Sequence, residues 1–255
     1  MVIAPPKEER NIPVASGVDR GGVISHQLDT PAGIIMVKNN VIVTDRYGDT
    51  VTFYRAVDLA AKVTWENNLE ISGMNRQYTI SIPQACCTTS NSKHLYVGTL
   101  KPSLIRIQVD PLRIEQGYLL NPILHTKIPN RYPWLQDMKA VKDCVLCLFT
   151  GSPSPLQIFS LEGEFIGSML TEDQIVGAYN FHLFYNLITE ELRIYICDFW
   201  DNSIKVFDQF GKFIETVCET GHELCQIFRP SCIFIEDTGY VIVGDMKKNN
   251  CLQRL

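Results

Sequence analysis

Apolar and polar positions alternate most clearly in "IYICDFWDNSIKVFDQFGKFIETV", residues 194–217. An apolar run leads into Asp-x-x-Asp-Asn. An alternating run follows, then a Gly turn, then a third alternating run. This is the pattern of strand, polar turn, strand, tight turn, strand.

The pattern recurs along the chain. "VIVTDRYGDTVTFY" covers 41–54, "LYVGTLKPSLIRIQ" 95–108, "VLCLFTGSPSPLQIF" 145–159, and "VIVGDMKKNNCLQRL" 241–255. Each is a β-branched and aromatic run, a polar turn and a second alternating run. Asp45, Asp198 and Asp245 end their strands, where a carboxylate can fold back onto N–H groups of its own turn. Asp49, Asn202 and Asn250 stand before the next strand and tolerate left-handed dihedrals. Pro102, Pro153 and Pro155 fix the turn in the second and third units.

Each unit has further strands. Apolar segments precede it, usually entered through proline: "PAGIIMV" at 31–37, "PQACCTT" at 83–89, "YPWLQDMKAV" at 132–141 and "RPSCIFI" at 229–235. The fourth unit uses "YNFHLFYNLI", 179–188, without the proline. Gly turns in "SLEGEFIGSM" (160–169) and "DQFGKFIETV" (208–217) add an outer strand. Equivalent strand ends, Thr44 through Gly244, recur roughly every 50 residues.

Four antiparallel strands at that period predict an all-β fold, a β-propeller with five recognisable blades; six is the alternative. Residues 17–27, "GVDRGGVISHQ", resemble a blade's strand–Gly–strand end, and the chain stops on the third strand of the last blade. The N-terminal segment is therefore expected to add the outer strand of that blade and close the ring, hiding its edge. Residues 1–16 are expected to be an extension and 17–255 the propeller.

"RPSCIFIEDTGYVIVGDMKKNNCLQRL" and "IYICDFWDNSIKVFDQFGKFIETV" resemble NHL repeats, whose pattern runs Pro-x-Gly-Ile-x-Val, a Gly turn, Ile-Tyr-Val-x-Asp-x-x-Asn-x-Ile-x-Val-Phe, then x-Gly-x-Phe. The resemblance is good in units one, four and five and weak in two and three. It implies a propeller like the C-terminal domain of tripartite-motif proteins, which binds RNA or proteins. NHL propellers usually have six blades. This sequence contains no RING, B-box or coiled-coil region, so any ubiquitin-ligase activity is expected to be absent from it.

Composition narrows the function further. The chain is 45% hydrophobic and 20% charged, ordinary for a soluble domain. No apolar run is long enough to span a bilayer, and "MVIAPPKEERNIP" lacks the apolar core of a signal peptide. Nine Cys, an odd number, with no glycosylation sequon suggest reduced, mostly buried thiols in a cytoplasmic protein. The net charge of −5 argues against general affinity for nucleic acid.

In a propeller, the loops between second and third strands share one face with the blade-to-blade connections, and such loops carry function. The register places there Arg46 and Tyr47, Lys101, Arg131, Tyr132 and Trp134, Tyr179, Phe199 and Trp200, and Phe228, Arg229, Lys247 and Lys248. Aromatic rings interleaved with cations suit protein hot spots and equally suit single-stranded RNA. The acidic balance favours a protein or peptide partner, with RNA the alternative. Phe199 and Trp200 are the leading positions.

Candidate chemistry along the chain is sparse. "CVLC", 144–147, lies along a strand, where positions i and i+3 face opposite sides and chelate poorly. "CETGHELC", 218–225, offers Cys218, His222 and Cys225, with Cys232 as a fourth candidate zinc ligand; a plain Gly-turn loop is the simpler reading. Cys86 and Cys87 read as small buried thiols. A propeller lyase or hydrolase with a central metal would need converging ligands. Asp45, Asp198 and Asp245 are candidates, but Thr99 and Thr150 hold the equivalent positions in two units, and His182 is the one His on an inner strand. No cofactor, resident metal or catalytic residue is therefore expected.

Overall fold

The computed structural model describes residues 28–56, 61–65, 82–89, 91–100, 102–110, 112–124, 133–187, 189–221, 226–246 and 251–254. Blade one comprises β1 (Pro31–Val37), β2 (Asn40–Asp45), β3 (Thr50–Arg55) and β4 (Ala61–Trp65). Blade two comprises β5 (Pro83–Thr88), β6 (His94–Thr99), β7 (Ser103–Val109) and β8 (Leu112–Leu119). Blade three comprises β9 (Trp134–Val141), β10 (Cys144–Thr150), β11 (Leu156–Ser160) and β12 (Phe165–Ser168). Blade four comprises β13 (Ala178–Asn186), β14 (Glu191–Asp198), β15 (Ser203–Asp208) and β16 (Phe213–Val217). A short parallel pair, β17 (Glu219–Thr220) and β18 (Gln226–Ile227), leads to blade five: β19 (Pro230–Ile235), β20 (Val241–Asp245) and β21 (Cys251–Arg254).

Each blade is a meander of antiparallel neighbours, and the molecule is a five-bladed β-propeller. Its first four blades have four strands and the fifth has three among the described residues. The outer strand expected from residues 17–27 lies outside the described residues.

Alternation along the strands buries both faces of each blade. Val37, Ile42 and Phe53 of blade one meet Val97, Ile105 and Ile107 of blade two. Tyr96 and Leu104 of blade two meet Leu135, Met138 and Phe149 of blade three. Leu146, Leu148 and Ile158 of blade three meet Phe181, Ile194 and Ile196 of blade four. Cys197, Ile204 and Val206 of blade four meet Ile233, Ile235 and Val243 of blade five. A fully buried Leu, Ile or Phe contributes about 2 kcal/mol.

The innermost strands pack in the order β1, β5, β9, β13, β19. At Gly98 of β6 a Cβ would lie 2.3 Å from Leu135 Cδ2, so the glycine sets how closely blades two and three approach. No comparable packing joins β19 to β1 among the described residues. Cys144 and Cys147 point to opposite faces of blade three, as the strand register requires: Cys144 joins the core shared with blade four, Cys147 the core shared with blade two.

A polar bridge spans three blades at the centre. Asn180 Nδ2 of blade four donates to Asp137 Oδ2 of blade three at 2.8 Å. Asn180 Oδ1 accepts from Ile233 N of blade five at 3.0 Å. Asp137 also accepts from Phe181 N and holds Lys139 Nζ at 2.9 Å. Burial alone would lower the Lys139 pKa, but Asp137 outweighs it and the ammonium is held above its usual range.

The expectation that strand-end aspartates cap their own turns holds for Asp45 and fails for Asp198. Among the described residues Asp198 accepts no hydrogen bond from the backbone of its own turn. Its oxygens accept instead from Val176 N at 3.0 Å and Gly177 N at 2.7 Å, the residues entering the same blade's innermost strand. Asp45 does both: it accepts from Gly48 N of its turn and from Asp29 N and Thr30 N ahead of β1. Asp245 accepts from Gln253 Nε2. A buried carboxylate needs several donors, and the strand-entry backbone supplies them where the blade converges. Asp49 and Asn202 have positive φ, 50° and 51°, as their side chains allow. Asn250 lies outside the described residues.

Candidate binding face

The turns linking second to third strands and the entries to the innermost strands lie at one end of the ring. Backbone hydrogen bonds tie the two sets together in four blades: Arg46 N to Thr30 O, Leu100 N to Ile82 O, Phe199 N to Gly177 O, and Met246 N to Arg229 O. Side chains also link neighbouring blades. Asp49 Oδ1 accepts from Ile82 N, and Asn202 Oδ1 from Arg229 N at 2.9 Å. Ile82 and Arg229 each precede the proline that opens an innermost strand, and both take positive φ, 53° and 54°. Such a conformation is costly before proline and persists where the surroundings fix it.

Five of the residues singled out from the sequence converge here, across blades four and five. The Tyr179 and Phe199 rings stack, 5.0 Å between centroids at 20°. Trp200 meets Phe199 edge-on at 4.9 Å. The Arg229 guanidinium lies 5.4 Å from the Phe228 ring centroid, 5.6 Å from that of Phe199 and 5.7 Å from that of Trp200. No carboxylate lies within ion-pair distance of Arg229 among the described residues. Trp200 is 62% exposed despite these contacts.

The loop under Trp200 is fastened from below. Lys205 Nζ lies 2.8 Å from both Asp198 Oδ2 and Asp201 Oδ2. Burial would lower the Lys205 pKa, but its hydrogen bonds to Asp198 and Asp201 raise it on balance. Those same bonds from Lys205 hold the Asp201 carboxyl below its ordinary value. Gly177 lies beneath the indole: a Cβ there would stand 2.2 Å from Trp200 Cδ1. The aromatic group is thus preorganised on a rigid edge.

Other expected positions are placed differently. Tyr47, at 67% exposure, and Arg46 sit on the corresponding turn of blade one, without a ring contact to the cluster. Trp134, at 54% exposure, opens β9 and likewise makes no ring contact among the described residues. Lys101, Arg131, Tyr132, Lys247 and Lys248 lie outside the described residues, as do His222 and Cys225. Cys232 is exposed on β19. Among the described residues no group of three or more His, Cys, Asp and Glu side chains is placed to hold a metal ion.

Some features of the face were not read from the sequence. Val176, 64% exposed, lines a cleft of about 320 Å³. The cleft is lined by Thr150, Gly151 and Ser152 of blade three and by Glu172, Asp173 and Val176 at the entry to blade four. Met246, also exposed, follows Asp245 as Phe199 follows Asp198, so the repeat register could have identified it. The cleft had no comparable signal, because it depends on how far two blades stand apart.

The inner strands contribute buried thiols and one histidine. Burial pushes the Cys86 thiol up to about 12 and raises Cys87 and Cys197 well above the ordinary range. These are packing groups, not nucleophiles. His182 packs edge-on against Phe234 at 5.1 Å. Burial, and then the charge of Lys139, lower its pKa to about 4.

These features define a class, the five-bladed β-propeller, with one end carrying an exposed aromatic and cationic surface. In solved structures, 1172 chains match this one. One is hydrazine synthase of Kuenenia stuttgartiensis, with 12% sequence identity and a TM-score of 0.54, covering 94% of this chain and 69% of that one. At that identity the likeness is one of fold. No protein-family model matches the chain, the NHL model included, and no curated protein matches it.

Proposed function

We propose that this propeller is a non-catalytic docking platform that binds a protein or peptide through the Tyr179–Phe199–Trp200–Phe228–Arg229 surface. One observation carries the reading. An exposed Trp and an Arg without a carboxylate partner among the described residues are held in place by a clamped loop. Trp, Tyr and Arg are the residues that dominate binding energy when a partner covers them. Rigid support lowers the entropy cost of association.

On this reading the repeats are of NHL type, as the units at 194–217 and 229–255 suggest. A catalytic role is disfavoured because Asp45, Asp198 and Asp245 each spend their oxygens on backbone or side-chain donors of their own blade. RNA is the second reading, since the same rings and cation can grip bases and phosphates. The carboxylates of Glu172 and Asp173 beside Val176 oppose a phosphate chain running past Trp200.

The test is affinity capture with the wild-type chain and with a Trp200→Ala, Arg229→Ala double variant. The reading expects partners captured by the wild type to be lost from the variant. Undiminished capture rules out this face. For RNA, binding that falls steeply with added salt is the diagnostic sign.

A further inference from the structure

We infer that the partner segment carries an Asp or Glu side chain beside a large apolar residue, with the carboxylate seated on Arg229 and the apolar group on Trp200. This rests on the docking reading above and names the chemistry of its ligand.

Charge decides the first half. Arg229 is an exposed residue whose guanidinium is flanked by three rings and faces no carboxylate among the described residues. Arg106, Arg113, Arg193 and Arg254, by contrast, each lie within ion-pair distance of a Glu. A planar guanidinium held against aromatic faces keeps its N–H edge for a carboxylate and loses little freedom on binding.

The carboxylate is a side chain's and not a chain terminus. Capture of a terminal carboxylate relies on a nest of free backbone N–H groups. Here the amides of Phe199, Arg229 and Met246 already donate to Gly177 O, Asn202 Oδ1 and Arg229 O.

Direction follows from the other side of the indole. Gly177 abuts the indole, and the residue before it, Val176, lines the cleft together with Glu172 and Asp173. A second acidic residue there meets like charge. The acidic residue therefore lies at the blade-five end of the bound segment, and the apolar residue crosses Trp200.

The experiment is selection of random 12-residue peptides displayed on phage against the full chain, followed by fluorescence titration of the recovered peptides. We expect an Asp or Glu next to Leu, Phe or Trp to be enriched. Arg229→Gln weakens these peptides about tenfold or more. Arg229→Glu rejects them and restores binding when their acidic residue is changed to Lys. Recovered peptides that need Trp200 but show no acidic enrichment and ignore Arg229→Gln overturn this inference and leave the docking reading standing. No recovered peptides, or peptides indifferent to Trp200→Ala, overturn the docking reading as well. A labelled oligouridylate that binds the wild type but not Trp200→Ala assigns the face to RNA and overturns the inference.

Discussion

Asn202 of blade four and Arg229 of blade five are joined across the blade boundary: the Arg229 amide donates to Asn202 Oδ1 at 2.9 Å, and both residues hold positive φ. Asp49 and Ile82 repeat the arrangement between blades one and two. The side chain that completes one blade's turn thus sets the entry angle of the next. In blade five that entry residue is the one that presents the guanidinium.

Asn202→Ala removes the acceptor and leaves a Cβ residue in the left-handed region. It should destabilise the protein by about 1–2 kcal/mol in urea melts. Asn202→Gly, which tolerates the dihedral, should cost about half as much. Equal costs for the two would mean that the backbone conformation contributes nothing.

Asp198→Ala leaves Val176 N and Gly177 N without their acceptor at a fully buried position and leaves Lys205 Nζ with Asp201 alone. A loss of about 3 kcal/mol is expected, read from thermal or urea unfolding. A loss below about 1 kcal/mol would show that water or other groups take over these donors.

Gly177→Ala forces its Cβ into the Trp200 indole and the Trp200 amide. The ring stands at the surface and can swing outward, but the contact with the Trp200 amide also forces the turn backbone to shift, so some stability should be lost while the fold survives. Trp fluorescence should shift, and binding to the partner should weaken. An unchanged spectrum together with unchanged binding would show that the position of Trp200 is not set by Gly177.

The lowered pKa of His182 fixes a pH dependence. Below about pH 6.5 the unfolded chain takes up a proton at this residue that the folded chain refuses until about pH 4. Stability is therefore fullest above pH 6.5 and declines as pH falls toward 4, by up to about 3 kcal/mol from this group. His182→Gln should lose less over the same interval. Parallel pH profiles for the two proteins would show that His182 is not the group responsible.

Period-two alternation made most strands legible. The segment 31–37 is β1 to the residue, and Gly163 and Gly211 turn the chain with φ of 81° and 82°. Phe199, Trp200, Phe228 and Arg229 were legible because the repeat register fixes which end of a blade a residue occupies. The partners of Asp198 were not. A carboxylate after an apolar run suggests local capping, and nothing in the spacing reveals donors 21 and 22 residues earlier. The Lys205 clamp and the cleft at Glu172 and Asp173 were equally hidden, since both arise only when separate segments are brought together.

The central claim is that this end of the ring meets the partner. A photo-crosslinking residue placed at position 200, and separately at Leu187 on the exposed turn at the other end of blade four, tests it directly. The account predicts covalent capture of the partner from position 200 and none from 187. Capture from 187 with none from 200 would contradict it.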